Sequence, residues 1–199
     1  MASAAGRPSA GATFDPGTPF TGPELVRALQ RMVDEGGAYL SSLADDLFFR
    51  RQGAGWSPAE HVRHLRKGSA PLALALRLPP ILLRLRFGVH QGASRPFEEL
   101  RTTYLTALAA GGQAGRFAPS VEPAPLDPGK RRGEIMTSWR EVTQDLCKGA
   151  SRWEEKALDT AQGPHPLLGN LSLREMLEFT VYHTTHHLRI VADRARAGV

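Results

Sequence analysis

The strongest constraint on the fold is a helix-start signal that occurs three times. It is a hydroxyl residue followed three positions later by glutamate, at residues 21–24 (TGPE), 57–60 (SPAE) and 172–175 (SLRE). In such a capping box the hydroxyl oxygen accepts from the backbone N–H of the glutamate, and the carboxylate accepts from the N–H of the hydroxyl residue. Proline lies in the first turn of two of them, where its missing N–H costs little. Three helix starts are therefore predicted.

The hydrophobic spacing predicts four long helices, at residues 23–49, 58–78, 133–158 and 173–195. Within the second of them, Gly68 and Pro71 can bend the helix or end it early. No segment shows the alternation that is typical of a strand. The predicted fold class is therefore all-α, a four-helix bundle with a long crossover connection between the second and third core helices.

That connection covers residues 79–127 and contains a helical stretch, FEELRTTYL, that starts at Phe97. Residues 1–20 contain no continuous apolar run, so we expect a disordered arm there, not a signal peptide or a membrane anchor. Residues 21–199 are expected to form a single domain. The lone cysteine, Cys147, cannot form an internal disulfide and is expected to be a small core residue. These features predict a cytoplasmic protein.

The net charge of +5 is spread along the chain, and its densest basic spot is LysArgArg at residues 130–132. A solvated helix start explains that spot, so we expect no nucleic-acid partner. The run LALALRLPPILLRLRF is broken by two prolines and carries arginines. It is too short and too charged to span a bilayer, so no membrane partner is expected.

Three of the seven histidines fall within the short stretch VYHTTHHLRI. On a helix that turns about 100° per residue, His183 and His187 lie in the middle of an apolar stripe that includes Met176 and Phe179. His186 lies roughly 80° off that axis and is expected to be peripheral. Two imidazoles in a buried stripe must each find a hydrogen-bond partner or a metal ion.

Spacing of i and i+4 lets one ring nitrogen from each histidine of this pair reach a shared ion at about 2.1 Å. Hydrogen-bonded core histidines are the alternative. A third ligand would come from the facing second helix, where His61 and His64 are both candidates. His61 lies nearer to the apolar centre of that helix, so spacing alone does not choose between them.

Two familiar metal motifs are excluded by residue type. A zincin needs glutamate directly after its first histidine, and Thr184 stands at that position. A di-iron carboxylate bundle needs Glu-x-x-His, and neither His64 nor His183 has glutamate three residues before it. The predicted site is rich in imidazole and poor in carboxylate.

Two segments, WSPAEHVRHL and HPLLGNLSLREMLEFTVYHTTHHLRIV, resemble the DinB-like superfamily of four-helix metal-binding proteins. The family pattern is a histidine followed by leucine on the second helix and an H-x-x-x-H pair on the last. This resemblance implies His64, His183 and His187 as metal ligands, with His61 in a packing or outer-sphere role. His165 matches the histidine of the HPxxG element, whose further role the resemblance leaves open.

The resemblance further implies a divalent transition metal, zinc or nickel above all, and frequent pairing as homodimers. It also implies, for several members, transfer or isomerisation reactions that depend on low-molecular-weight thiols. Three neutral imidazoles leave an open metal position, which is typical of catalytic sites. Thiol S-transfer is favoured over hydrolysis because the sequence offers no clear general base, Glu60 being already assigned to a capping box. The alternative is a non-catalytic bundle stabilised by metal, or an interaction protein.

Overall fold

The computed structural model describes residues 13–51, 53 and 55–197, and these residues are mostly helical, which confirms the all-α class. The helices and strands, in chain order, are α1 (Gly22–Ser42), α2 (Asp45–Phe49), α3 (Pro58–Ala75), α4 (Pro80–Phe87), α5 (Phe97–Ala109), α6 (Pro128–Ala150), α7 (Glu155–Thr160), β1 (Gln162–His165), β2 (Gly169–Ser172) and α8 (Leu173–Ala197).

The four longest helices, α1, α3, α6 and α8, pack in a ring in which each contacts two others. α3 contacts α6 and α8, and α1 contacts the same two helices. Their apolar faces form two clusters of buried side chains. Along α8 the boundary between the clusters falls between Tyr182 and Leu188. The histidine pair of the sequence analysis lies in this interval.

All three predicted capping boxes are present. Those of α1 and α3 have both reciprocal hydrogen bonds. At α8, Glu175 N–H donates to the Ser172 hydroxyl at 3.1 Å, and Ser172 N–H donates to the Glu175 carboxylate at 3.0 Å. The starts of the two histidine-bearing helices are therefore fixed by local hydrogen bonds.

The prediction of one helix at residues 23–49 is wrong near its C-terminal end, because α1 ends at Ser42 and a separate helix, α2, starts at Asp45. Leu43 adopts an extended backbone between them. The Arg132 guanidinium of α6 donates to the carbonyl oxygens of Ser41 and Leu43 at 3.4 and 2.7 Å. A contact from a distant helix thus satisfies carbonyl groups at the end of α1, and the local sequence does not reveal it.

The second and third predicted helices need smaller corrections. α3 continues through Pro71 and ends at Ala75, three residues before the predicted end. α6 begins at Pro128 because the Asp127 side chain accepts from the Lys130 N–H at 2.9 Å and caps it. α6 ends at Ala150, and α7 is a separate short helix.

The expectation of no strands is wrong, since β1 and β2 form an antiparallel hairpin. Its register pairs Gln162 with Ser172 and His165 with Gly169. Gly169 has a φ of +74°, which favours glycine at the turn. Strands of only four residues carry too little alternation to be recognised in a sequence. His165 is the last residue of β1 and lies directly before the hairpin turn, and β2 leads into α8.

The connection between α3 and α6 contains α4, α5 and a 3-10 turn at Gly115–Phe117. α5 packs on α8, and the 3-10 turn packs on α3. The helical stretch predicted from Phe97 is confirmed as α5. This connection therefore covers the side of α3 and α8 on which their histidines lie.

Part of the predicted disordered arm, residues 13–20, is described, and Phe14 is buried against Tyr39 with ring centroids 5.6 Å apart. Residues 1–12 lie outside the described part. Cys147 is a buried core residue, and burial raises the pKa of its thiol to about 11. In the part of the chain that the structure describes, no helix has the length and apolar character needed to cross a bilayer.

Candidate metal centre

Three histidines from two helices lie together in the interior of the bundle. His64 comes from α3, and His183 and His187 come from successive turns of α8. Their exposed fractions are 5%, 8% and 7%, as expected for residues in the middle of buried helix faces. The helical spacing of the sequence therefore correctly predicted that the α8 pair is buried.

The Nε2 atoms of these rings face one another. His183 Nε2 lies 3.0 Å from His64 Nε2 and 3.0 Å from His187 Nε2. One nitrogen from each ring lies within 4.8 Å of the other two. Nitrogens that each bind one zinc ion at about 2.1 Å are separated by roughly 3 to 3.5 Å. The three histidines are thus close enough to hold one metal ion.

The hydrogen bond of His64 fixes its tautomer. His64 Nδ1 lies 2.9 Å from the carbonyl oxygen of Phe117, in the 3-10 turn. A carbonyl oxygen only accepts, so Nδ1 carries the proton, and Nε2 of the neutral ring has a lone pair that points to the other histidines. A backbone carbonyl on the far ring nitrogen is the usual partner of a metal-ligating histidine.

A metal ion fits this donor set better than hydrogen bonds do. Because His64 Nε2 has no proton, a hydrogen bond between it and His183 Nε2 requires the proton of His183 Nε2. The same single proton would then also have to form the contact between His183 Nε2 and His187 Nε2. One proton would then be shared between two contacts of 3.0 Å. A cation bound by one lone pair from each ring satisfies all three nitrogens together.

Burial keeps all three rings neutral. It lowers the pKa of His64, and it lowers the pKa of His183 and His187 far below the usual value of histidine. The charge that each neighbouring imidazole would carry lowers the pKa of the α8 pair further. Neutral imidazole is the form that binds a metal, so the lone pairs are available at pH 7.

A comparison with protein families identifies the family of the chain. The family model described as DinB superfamily matches residues 38–191, which is most of the chain and includes all three histidines. The chain belongs to the DinB superfamily. Searches of the curated proteins and of the solved structures find no match.

In this DinB protein, His61 lies behind His187. Its Nδ1 is 2.7 Å from His187 Nδ1, and the Trp56 ring packs on it with centroids 5.5 Å apart. If His187 offers its Nε2 lone pair, its Nδ1 carries the proton and donates to His61 Nδ1. The His61 proton is then on Nε2, which is buried without a hydrogen-bond partner among the described residues. Burial lowers the pKa of His61 to about 3, so this ring is neutral as well.

Glu60, which lies one helical turn before His64, is fully engaged. Its carboxylate accepts from Arg51 Nη2 at 2.6 Å and from Ser57 N–H at 2.8 Å. Burial raises the pKa of Glu60, but the hydrogen bonds from Arg51 and Ser57 outweigh this effect and leave the pKa lowered. The group is therefore ionised and already paired, which makes it a poor proton acceptor for a substrate.

A cavity of about 260 Å³ opens beside the three histidines. Its wall is mainly apolar and aromatic, and the Phe179 ring stacks on His183 with centroids 5.1 Å apart. None of the described residues that line it is acidic, and the exposed Arg116 lies on its rim. Because neutral rings and apolar walls surround it, the cavity is electrostatically suited to a neutral or anionic molecule.

His165 and His186 line the same cavity. His186 is not among the three converging histidines, as its position on the helical wheel predicted, and its ring stacks on Tyr182. Phe117 and Tyr104, which both lie in the long connection, were not predicted as site residues. Phe117 acts through its backbone carbonyl, which no residue type reveals. Tyr104 of α5 is recognisable only once α5 is known to pack on α8.

Proposed function

We propose that the protein is a divalent-metal-dependent thiol S-transferase whose metal ligands are His64, His183 and His187. The observation that supports this most strongly is that three neutral imidazoles converge at the wall of a cavity lined by no acidic group among the described residues. Zinc and nickel are the proposed metals, because imidazole suits both.

Three neutral ligands leave the double charge of a divalent ion uncompensated, and such an ion lowers the pKa of a bound thiol or water. Around it, this chain's residues orient the ligands and exclude water. The Phe117 carbonyl holds the His64 ring, and His61 holds the His187 ring. Trp56 and Phe179 stack on the outer faces of the α8 pair and shield it from solvent.

Thiol transfer is favoured over hydrolysis because no described carboxylate lines the cavity beside the histidines, where it could act as a general base. Glu178, whose oxygens lack partners among the described residues, is not a lining residue. Glu60 is paired with Arg51, and Glu175 accepts from Arg95 and Ser172. In the proposed reaction an S–C bond forms between the thiol sulfur and an electrophilic carbon. The bond from that carbon to its leaving group breaks, the leaving group departs with the electron pair, and the thiol proton passes to solvent.

A non-catalytic bundle that a metal holds together is the second candidate. It is favoured by the location of the histidines, which join α3 to α8 where the two core clusters meet. The cavity beside the histidines supports the catalytic function over this alternative, because a structural site is usually closed, whereas a catalytic site keeps an open position.

The test is a rate measurement with zinc-loaded protein, 1-chloro-2,4-dinitrobenzene as electrophile, and cysteine or glutathione as thiol. We expect a zinc-dependent rate that His183→Ala lowers by more than about tenfold, because the ligand set is broken. His90→Ala, a histidine outside the site, is the control and should keep the rate. A zinc-loaded parent that is no faster than the metal-free protein with either thiol would contradict the proposal.

A further inference from the structure

His165 is held in one tautomer by the turn that follows it. Its Nδ1 accepts from the backbone N–H groups of Leu167 and Leu168 at 3.3 and 3.2 Å. A nitrogen that accepts has no proton, so the proton of the neutral ring is on Nε2. Burial lowers the pKa of His165 to about 4, which keeps the ring neutral at pH 7.

The Nε2–H of His165 has no hydrogen-bond partner among the described residues. The ring lines the cavity beside the metal centre, and no hydrogen bond to Nε2 is present in the described part of the chain. The Phe179 ring packs against it with centroids 4.3 Å apart, and Phe179 in turn stacks on His183. The donor is therefore rigid, and its orientation is coupled to the packing of a candidate metal ligand.

Two further side chains of the cavity wall support its use as a binding site. Ser69 and Tyr104 are each only 6% exposed and line the cavity, and their hydroxyl groups make no hydrogen bond within the described residues. Neither hydroxyl oxygen is among the fully buried atoms without a partner, so both are accessible from the cavity, to water or to a ligand. A bound molecule that offers acceptors to such donors recovers hydrogen bonds that the protein does not supply.

We propose that the cavity binds a small neutral or anionic molecule with an apolar body and a hydrogen-bond acceptor, and that the acceptor is bound by His165 Nε2–H. The inference rests on the proposed function in one respect, which is that the reactive end of the molecule lies at His64, His183 and His187. His165 is then a positioning residue that orients the substrate. The apolar wall binds the body, and the absence of acidic groups among the described lining residues disfavours cations.

The test compares two thiols of equal length, N-benzyl-2-mercaptoacetamide and 4-phenylbutane-1-thiol, which differ in that the first has an amide acceptor. Their dissociation constants are measured by calorimetry in the parent and in two variants. His165→Asn places an acceptor where Nδ1 was and removes the Nε2 donor. His165→Gln places an amide donor near the position of Nε2 and removes the acceptor that the turn uses.

We expect His165→Asn to lower the preference for the amide thiol by about fivefold, since a net hydrogen bond contributes about 1 kcal/mol. Its melting temperature should stay near that of the parent, because the turn keeps its acceptor. His165→Gln should show the opposite pattern, with the preference kept and the melting temperature lowered. An equal preference in the parent and in His165→Asn would overturn the proposal.

The zinc content of each preparation separates this result from the proposed function. A parent that takes up neither zinc nor nickel would contradict the metal-dependent function. The preference for the amide thiol would still be measurable in metal-free protein, where it reports on His165 alone. A zinc-loaded parent whose preference does not depend on His165 would contradict the present inference and leave the proposed function intact.

Discussion

At the scale of single residues, His61 determines how well the His187 ring is held. The two Nδ1 atoms lie 2.7 Å apart, so a proton on His187 Nδ1 leaves its Nε2 lone pair free for a metal. His61 Nδ1 accepts this hydrogen bond, and the Nε2–H of His61 is then buried without a partner among the described residues. The protein therefore retains an unsatisfied polar group beside the site, and orientation of a ligand is the physical reason that we infer for it.

Replacement of His61 by leucine should weaken zinc binding by about 10- to 100-fold, because His187 loses the acceptor that orients it. His61→Asn should recover much of the affinity, since its side-chain oxygen lies near the position of Nδ1. Competition with a chromophoric chelator measures both variants. Equal affinities for His61→Leu and the parent would show that His187 needs no such partner.

Glu178 is a second buried residue with unsatisfied atoms. It is 0% exposed, and neither carboxylate oxygen has a hydrogen-bond partner among the described residues. Burial raises its pKa to about 8, with the charges of Glu175 and Asp159 adding to the effect and those of Arg174 and Arg95 opposing it. The folded protein therefore binds a proton at Glu178 under conditions in which the unfolded chain releases it.

This difference predicts that stability falls as pH rises from the ordinary glutamate pKa of 4.5 to the raised value of about 8. Below this window the group is protonated in both states and has no effect. Glu178→Gln should remove this part of the slope and should raise the melting temperature relative to the parent most strongly near pH 8.

Urea unfolding at several pH values measures this slope. The exposed residue Glu141 provides the matched control, because Glu141→Gln changes the same charge on the surface and should leave the slope unchanged. Parallel pH profiles for the parent and Glu178→Gln would show that Glu178 is not protonated in the folded protein.

At the scale of elements, the capping box of α3 stabilises the helix that carries His64. The Ser57 hydroxyl accepts from Glu60 N–H at 3.2 Å, and its removal exposes an unsatisfied donor in a buried first turn. Ser57→Ala should lower the free energy of unfolding by about 1 kcal/mol while leaving the zinc content unchanged. Ser41→Ala, an exposed serine within α1, is the control and should be near neutral. Loss of zinc in Ser57→Ala would show that the site depends on this cap.

The sequence predicted those elements whose signals are local. Three capping boxes and the helical spacing located the starts of α1, α3 and α8 and the burial of the α8 histidines. The family resemblance chose His64 over His61, which the spacing had left open, and the structure groups His64 with the α8 pair. Features that depend on contacts between distant residues were not predicted. Examples are the end of α1, where Arg132 donates to the Leu43 carbonyl, and the β1–β2 hairpin.

Tertiary placement also explains why parts of the site were not predictable. The partner of His64 is a backbone carbonyl of a 3-10 turn that lies 53 residues further along the chain. The role of His165 depends on a turn whose geometry has no periodic pattern in the sequence. The first contact exists because the long connection folds back onto α3. The second is local to the hairpin turn, and His165 reaches the cavity because the hairpin packs on α8.

At the scale of the whole molecule, the two core clusters bury most large apolar side chains without any contribution from a metal. Removal of zinc by a chelator should therefore leave a helical protein that unfolds cooperatively, at a lower melting temperature. Circular dichroism with and without chelator measures this. A metal-free chain that has lost its helical signal would favour the non-catalytic, metal-stabilised bundle instead.

The homodimer that the resemblance implies stays a prediction at this scale. Light scattering on the purified protein measures the mass in solution, and a value of twice the chain mass is expected. A monomer at all concentrations would contradict the dimer without affecting the metal centre, because all three proposed ligands come from one chain.

The most direct test of the central claim is the zinc content of the parent and of four histidine variants, purified without nickel resin. We expect about one equivalent in the parent, and its loss in His64→Ala, His183→Ala and His187→Ala. His186→Ala, one residue from His187 on the same helix, should keep the metal. Zinc and nickel contents that are the same in all five proteins, or a parent that holds neither metal, would show that these histidines do not form a metal site.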